Sequence, residues 1–402
     1  MAPLAITAHT LVTALGHGLA AHASALREGR TGLAPQRFET AALDTWLGVA
    51  PGLDDPALAA AFVGELATAD CRNNRLAEAT LRADGFFERV QAAARRWGAH
   101  RVGVFLGTST SGILASEIAY REREPATGAL PAWLDYAATH NTYSVARHVR
   151  TRLGLTGPAA VVSTACSSSA KVYGNAARLI AACVIDAAVV GGVDSLCMTT
   201  LYGFNSLELL SREVCRPYDA TRDGLSLGEG GALALLEREP ADTPAGWLLG
   251  VGESSDGHHM SSPHPEGAGA AAAMRAALAS AGLAADAVDH LNLHGTATPG
   301  NDAAEDKAVL AVFGTRVPCC STKGHTGHTL GAAGGVEASL ALLTLDDGFI
   351  PGGLHRREPD PALHANYVDS GRNADLRVVA SNSFGFGGSN ACLIFGRSEC
   401  AA

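Results

Sequence analysis

Short apolar runs alternate along this chain with longer stretches whose apolar positions recur with helical period. The runs at 102–107, 159–164, 187–192, 232–237, 247–253, 290–294, 377–381 and 391–395 predict buried strands. The stretches at 17–28, 74–97, 142–153, 167–182, 267–280, 303–313 and 331–345 predict helices. Strands this continuously apolar must be covered on both faces. The alternation therefore predicts an α/β protein with buried sheets and helices outside them.

The pattern also repeats. Ser163-Thr164 precedes Cys166 and a Gly/Ala-rich helix. Ser321-Thr322 precedes Lys323-Gly-His-Thr-Gly-His328 and another Gly/Ala-rich helix. Two related halves packed together would bring both turns to a shared centre. The join is expected in the Pro- and charge-rich segment 239–245, which divides the chain into 1–245, carrying Cys166, and 246–402, carrying the His and Lys residues.

Composition narrows the function. At 402 residues and 47% hydrophobic, the chain has ample material for a large core. A net charge of −10 disfavours a general nucleic-acid or anionic-membrane role. Nine cysteines without a CxxC pair read as reduced, cytoplasmic usage, and the adjacent Cys319-Cys320 is a poor chelate. No apolar run reaches the ~18–20 residues of a membrane span, and the first stretch lacks the basic segment of a secretory leader.

Cys166 lies between a predicted strand and the first turn of a predicted helix. Unpaired N–H groups and the positive end of the helix dipole there favour thiolate, lowering the pKa by roughly one unit. The site reads as a covalent nucleophile. His294 follows the run 290–294 on a turn enforced by Gly295 and Pro299. Lys323 to His328 open a helix, and 381–390 is glycine-rich.

Taken singly, each has a bland reading: a structural His, a solvated Lys, a hairpin turn. His325 and His328 form an HxxH pair, but no carboxylate of suitable spacing completes a metal site. His258, His259 and His264 read as a mobile loop.

Together, TACSSSA at Cys166, HGTATPGND at His294, STKGHTGHTLGAAG at Lys323 and His328, and NSFGFGGSN at Phe386 resemble the elongating β-ketoacyl-[acyl-carrier-protein] synthases, from about residue 5 to 395. The resemblance implies the five-layered αβαβα thiolase fold. It implies a decarboxylative condensation of malonyl-carrier with an acyl group on Cys166. His294 and His328 would stabilise the enolate, and Lys323 would orient the second histidine and pair with Glu337. Asp302 and Glu305 would support the network. The N–H groups of Cys166 and Phe386 would form an oxyanion hole. No metal or redox cofactor is implied; phosphopantetheine arrives on the acyl carrier protein. The assembly would be a homodimer, or a heterodimer with a ketosynthase-like chain-length factor.

Finer features follow from the same resemblance. Phe384, Phe386 and Gly387 would gate the acyl pocket. Thr110 sits where some relatives carry a bulkier aliphatic residue, which would admit a longer or more unsaturated chain. Arg212 is a candidate contact for an acidic carrier. Segment 210–217 looks shorter than in housekeeping synthases. The runs 193–197 and 201–209 resemble synthases of aryl polyene clusters.

Three alternatives remain. A coenzyme A thiolase needs a second cysteine as base, and Cys392 falls in a strand pattern. A non-catalytic chain-length-factor subunit would lack Cys166. A cysteine hydrolase leaves Lys323, Glu337 and one His unexplained.

Overall fold

The computed structural model describes residues 1–401. Two sets of five strands run through one continuous path. The first set is Leu4–Thr13, Val102–Gly107, Ala159–Val162, Ala187–Asp194 and Gly230–Glu237. The second is Gly246–Ser255, His290–Asn292, Cys319–Cys320, Val378–Gly385 and Ser389–Gly396. Numbered within its own set, each has the spatial order first, fifth, fourth, second, third. In both, the first, fifth and fourth strands pair antiparallel, while the fourth, second and third pair parallel. The chain thus folds the same topology twice. The two first strands join the sets, with Leu4, Ala5 and Ile6 opposite Leu248, Trp247 and Gly246.

Successive strand residues point to opposite faces, and here both faces are buried. Ala188 and Val190 enter a central core with Ala170, Val172, Tyr173, Ala338, Leu342, Val379 and Leu393. Val189, between them, enters an outer core with Leu76, Val90 and Val145. On the far side, Met274, Ala277 and Ala308 pack against Leu291, Ala380 and Ile394. The layers are helix, sheet, helix, sheet, helix. This is the five-layered αβαβα thiolase arrangement.

The central layer is made by Ser168–Ala181 and Ala333–Asp347. Their small residues are required by proximity. A Cβ on Gly334 would lie 2.7 Å from the Cβ and N of Ala170, and Gly335 N donates to Ser169 Oγ at 2.8 Å.

Three features depart from the sequence pattern. The strand Leu4–Thr13 is hidden by buried polar residues, which the tertiary structure satisfies. Thr7 donates to Glu237, Thr10 to Asp84, and Thr13 bonds His22. The single helix expected over 74–97 is two, Arg72–Arg82 and Phe86–Trp97. They break where Asp84 (φ 55°) and Gly85 (φ 67°) are left-handed, a turn that presents the Asp84 carboxylate to Leu19 N. Helices Ile113–Arg121 and Met198–Ser206 arise where no periodic run announced them.

Candidate active site

Cys166 stands on a tight turn between Ala159–Val162 and Ser168–Ala181, with the preceding Ala165 left-handed at φ 51°. His294 lies just past the strand His290–Asn292. Lys323 opens the short helix Lys323–Thr326, and His328 follows Gly327, whose φ of 74° suits glycine. The two halves bring these groups together. One ligating atom each from Cys166, His294 and His328 lie within 4.8 Å of one another. The two imidazoles cross nearly perpendicular with ring centres 5.3 Å apart.

A thiol and two imidazoles at this spacing resemble a metal centre, but their hydrogen bonds decide otherwise. His328 Nδ1 accepts from Leu330 N at 3.0 Å. His294 Nδ1 lies 3.3 Å from Lys323 Nζ, which can only donate. With Nδ1 accepting in both rings, each neutral imidazole carries its proton on Nε2. The pair presents N–H donors rather than lone pairs. Burial, followed by the Lys323 charge, holds both histidines well below their usual pKa, so they stay neutral.

Lys323 is buried and its ammonium is fully engaged. It pairs with Glu337 and donates to the His294 carbonyl. The expectation that it orients the second histidine is corrected, because its hydrogen bonds go to His294 while the His328 ring is held by Leu330 N. Burial pushes the Glu337 carboxyl up to about 7, against the pull of Lys323. Glu305 accepts from His294 N (2.8 Å), Gly295 N (2.7 Å) and Asn382 Nδ2 (3.0 Å), fastening the turn that carries His294. Burial raises it to about 7 as well. Asp302 accepts from Tyr218 N and Ala297 N. It thereby ties the segment at 218 to the left-handed Ala297 (φ 67°), and burial raises its pKa too.

The expected thiolate is corrected. Burial dominates at Cys166 and pushes its thiol up to about 12. Lys323 and the Phe386 N–H oppose this, while Asp194 and Glu337 reinforce it. A dipole worth about one unit does not offset desolvation of that size.

A cavity of about 570 Å³ opens onto these groups, lined by Cys166, His294, His328, Phe204, Leu209 and Leu225 among others. Phe384 and Phe386 also line it, with the Phe386 ring 5.6 Å from Phe204. Gly387, at φ 80°, sits between lining residues and donates its N–H to Met260 O. Thr110 is buried outside this lining, with its hydroxyl on Asp194. Arg212 is exposed and outside the lining, whereas Lys307 lines the cavity and pairs with Glu266. His325 bonds the carbonyls of Arg30 and Gly352 and takes no part. His258 and His264 sit 5.2 Å apart on the loop beside the cavity.

Sequence reasoning missed Asp194, Thr296 and Thr298. The two threonines line the cavity with hydroxyls 2.9 Å apart. Their i, i+2 spacing after His294 was the available signal, although it is the left-handed Ala297 between them, not an extended segment, that the structure places there.

Two similar halves that meet over a buried thiol and two N–H-donating imidazoles define a condensing acyltransferase of the thiolase fold. The chain belongs to the beta-ketoacyl synthase family: residues 1–242 match its N-terminal domain and residues 245–357 its C-terminal domain. The 3-oxoacyl-[acyl-carrier-protein] synthase 2 of Vibrio harveyi is 36% identical over 317 residues, covering 74% of this chain and 75% of that protein. The solved ketosynthase in complex with its chain length factor from Xenorhabdus doucetiae is 36% identical, with a TM-score of 0.87 over 98% of each chain. A beta-ketoacyl synthase from Burkholderia phymatum is 30% identical, with a TM-score of 0.87 over 99% of this chain and all of that one. The chain is a β-ketoacyl-[acyl-carrier-protein] synthase, an enzyme that transfers and condenses acyl groups.

Proposed function

We propose that this synthase works by a two-step exchange centred on Cys166. Its sulfur attacks the carbonyl carbon of an acyl-carrier thioester, and the carrier leaves as a thiol, taking up a proton. Malonyl-carrier follows. Its bond to the carboxylate breaks, carbon dioxide leaves, and the electron pair stays as an enolate. The enolate carbon attacks the acyl-enzyme, the Cys166 sulfur leaves and regains a proton, and the product is a β-ketoacyl-carrier.

The observation that carries this reading is the convergence of Cys166 with two imidazoles whose N–H groups both face the cavity. His294 and His328 donate to the malonyl thioester carbonyl as it becomes an enolate oxygen. Lys323, held by Glu337, keeps His294 in the donating tautomer. The Phe386 N–H already reaches the Cys166 sulfur. With the Cys166 N–H it forms the oxyanion hole for acyl transfer. Because burial keeps the resting sulfur protonated, attack is coupled to loss of that proton, with Lys323 and the Phe386 N–H stabilising the anion as it forms. Decarboxylation drives bond formation, so no bound cofactor is needed, and the phosphopantetheine arm comes with the carrier.

A coenzyme A thiolase is disfavoured by Cys392, which is buried in the strand Ser389–Gly396 and pushed up to about 12. The carrier is acidic, and Arg212 is proposed to meet it at the surface.

The working assembly is proposed to be a heterodimer with a chain-length-factor-like chain in the cytoplasm, elongating an aryl polyene. Support comes from the Xenorhabdus doucetiae complex and from the surface. Tyr120, Leu130, Trp133 and Tyr136 are exposed in one excursion, and the apolar strand Ala159–Val162 is an uncovered sheet edge.

Intact-mass measurement with a panel of acyl-carriers tests the mechanism. A mass gain equal to the acyl group, absent in Cys166→Ala, is expected, and an aryl starter preference supports the polyene assignment. An unchanged mass with every acyl-carrier sinks the acyl-enzyme.

A further inference from the structure

Asp194 closes the strand Ala187–Asp194, and its side chain is fully buried. Among the described residues no ion pair reaches it. Its charge is met by neutral donors instead. Oδ1 accepts the hydroxyls of Thr108 and Thr110 and the N–H groups of Ser109 and Thr110. Oδ2 accepts the N–H and hydroxyl of Ser109. From the other half of the molecule, Gly331 N reaches the same oxygen at 2.6 Å.

That last bond bears on the site. Leu330 is buried and left-handed, at φ 55°, a conformation a bulky residue rarely adopts. In this turn the consecutive N–H groups of Leu330 and Gly331 go to His328 Nδ1 and to Asp194. Gly331 admits the approach because a Cβ there would lie 2.7 Å from Asp194 Oδ2 and 2.7 Å from Ser109 N. The carboxylate therefore clamps the turn whose other N–H holds the His328 ring in its donating tautomer.

We infer that Asp194 is a positioning residue for decarboxylation, acting through the Leu330–Gly331 turn to hold His328 with its N–H toward the enolate oxygen. The inference rests on the role proposed above for His328. It goes beyond it in assigning a residue of the N-terminal half, outside the cavity lining, to the half-reaction carried by the C-terminal half.

The test separates the two half-reactions in the full-length protein. Asp194→Asn keeps the size of the side chain but replaces an acceptor with a donor opposed to a ring of donors. Malonyl-carrier decarboxylation is expected to fall at least ~10-fold through kcat, with KM little changed. Acyl loading of Cys166, read by intact mass, should not fall, because Asp194 makes its hydrogen bonds to residues 108–110 and 331 rather than to the nucleophile turn, and removing its charge only eases loss of the Cys166 proton. A purely structural role would lower both together, and that outcome overturns the inference, as does decarboxylation within twofold of wild type. If Asp194→Asn does not fold, Gly331→Ala, which pushes the turn off the same carboxylate, is read in the same way. His328→Ala is the control. Full decarboxylation in that variant overturns the role of His328 itself. Its loss there, with Asp194→Asn unaffected, overturns only the present inference.

Discussion

Replacing Lys323 with methionine gives the sharpest separation of stability from catalysis. The ammonium is buried against Glu337, the His294 carbonyl and His294 Nδ1. Its removal leaves a buried carboxylate without its counter-charge, a change that costs about 3–5 kcal/mol when one partner of such a pair is deleted. Glu337 already stands at about 7 with Lys323 in place, so without it the carboxyl goes higher still and takes up a proton. A carboxyl whose folded pKa exceeds its unfolded value loses stability as pH rises through that window. Wild type shares that loss up to about pH 7, so the deficit of Lys323→Met should be flat from pH 5 to about pH 7 and grow above it. The double variant Lys323→Met/Glu337→Leu removes both charges, and apolar replacement of a whole buried pair is often neutral. Urea unfolding should show most of the lost stability recovered. Malonyl decarboxylation should not recover in the double variant, remaining at least ~100-fold down, because nothing then fixes the His294 donor. A single variant as stable as wild type, or a double variant that regains activity, refutes the reasoning.

The remaining predictions use other parts of the site. Because burial and Lys323 hold His294 and His328 far below 6.5, neither imidazole should take up a proton near pH 6.5; an NMR titration of either ring there counts against neutral donors. Glu305 is raised from 4.5 to about 7 by burial; Glu305→Gln should gain on wild type in unfolding free energy by about 3 kcal/mol between pH 4 and pH 8, and parallel curves would show that the carboxyl titrates normally. Gly334→Ala should cost about 1–3 kcal/mol by forcing apart the central helices at Ala170, read from urea midpoints, and an unchanged midpoint would mean that the contact relaxes freely. His328→Ala should abolish malonyl decarboxylation while sparing some acyl loading of Cys166.

Much of the site was legible because its chemistry is carried by local runs. Cys166, His294, Lys323 and His328 each sit beside the small residues and turn formers that the backbone requires, so spacing alone placed them at strand ends and helix starts. The doubled topology was visible as a strand, turn and small-residue helix in each half. What misled was environment. The helix start at Cys166 argued for thiolate, but whether a thiol is buried depends on what the other half lays over it. That the Thr110 hydroxyl meets Asp194 was equally invisible in the sequence. The strand Leu4–Thr13 was masked by threonines whose partners, Glu237, Asp84 and His22, are supplied by the fold.

The alternating elements, the repeat and the candidate site residues could be read from the chain alone, because periodicity and turn chemistry act over a few residues. Only the tertiary structure decided the charge state of the thiol, the tautomers of both imidazoles and the clamp at Asp194. The thiol depends on desolvation by residues laid over it, the His294 tautomer on a lysine 29 positions away, and the turn that holds the His328 ring on a carboxylate 137 positions away, and no local pattern encodes such partners.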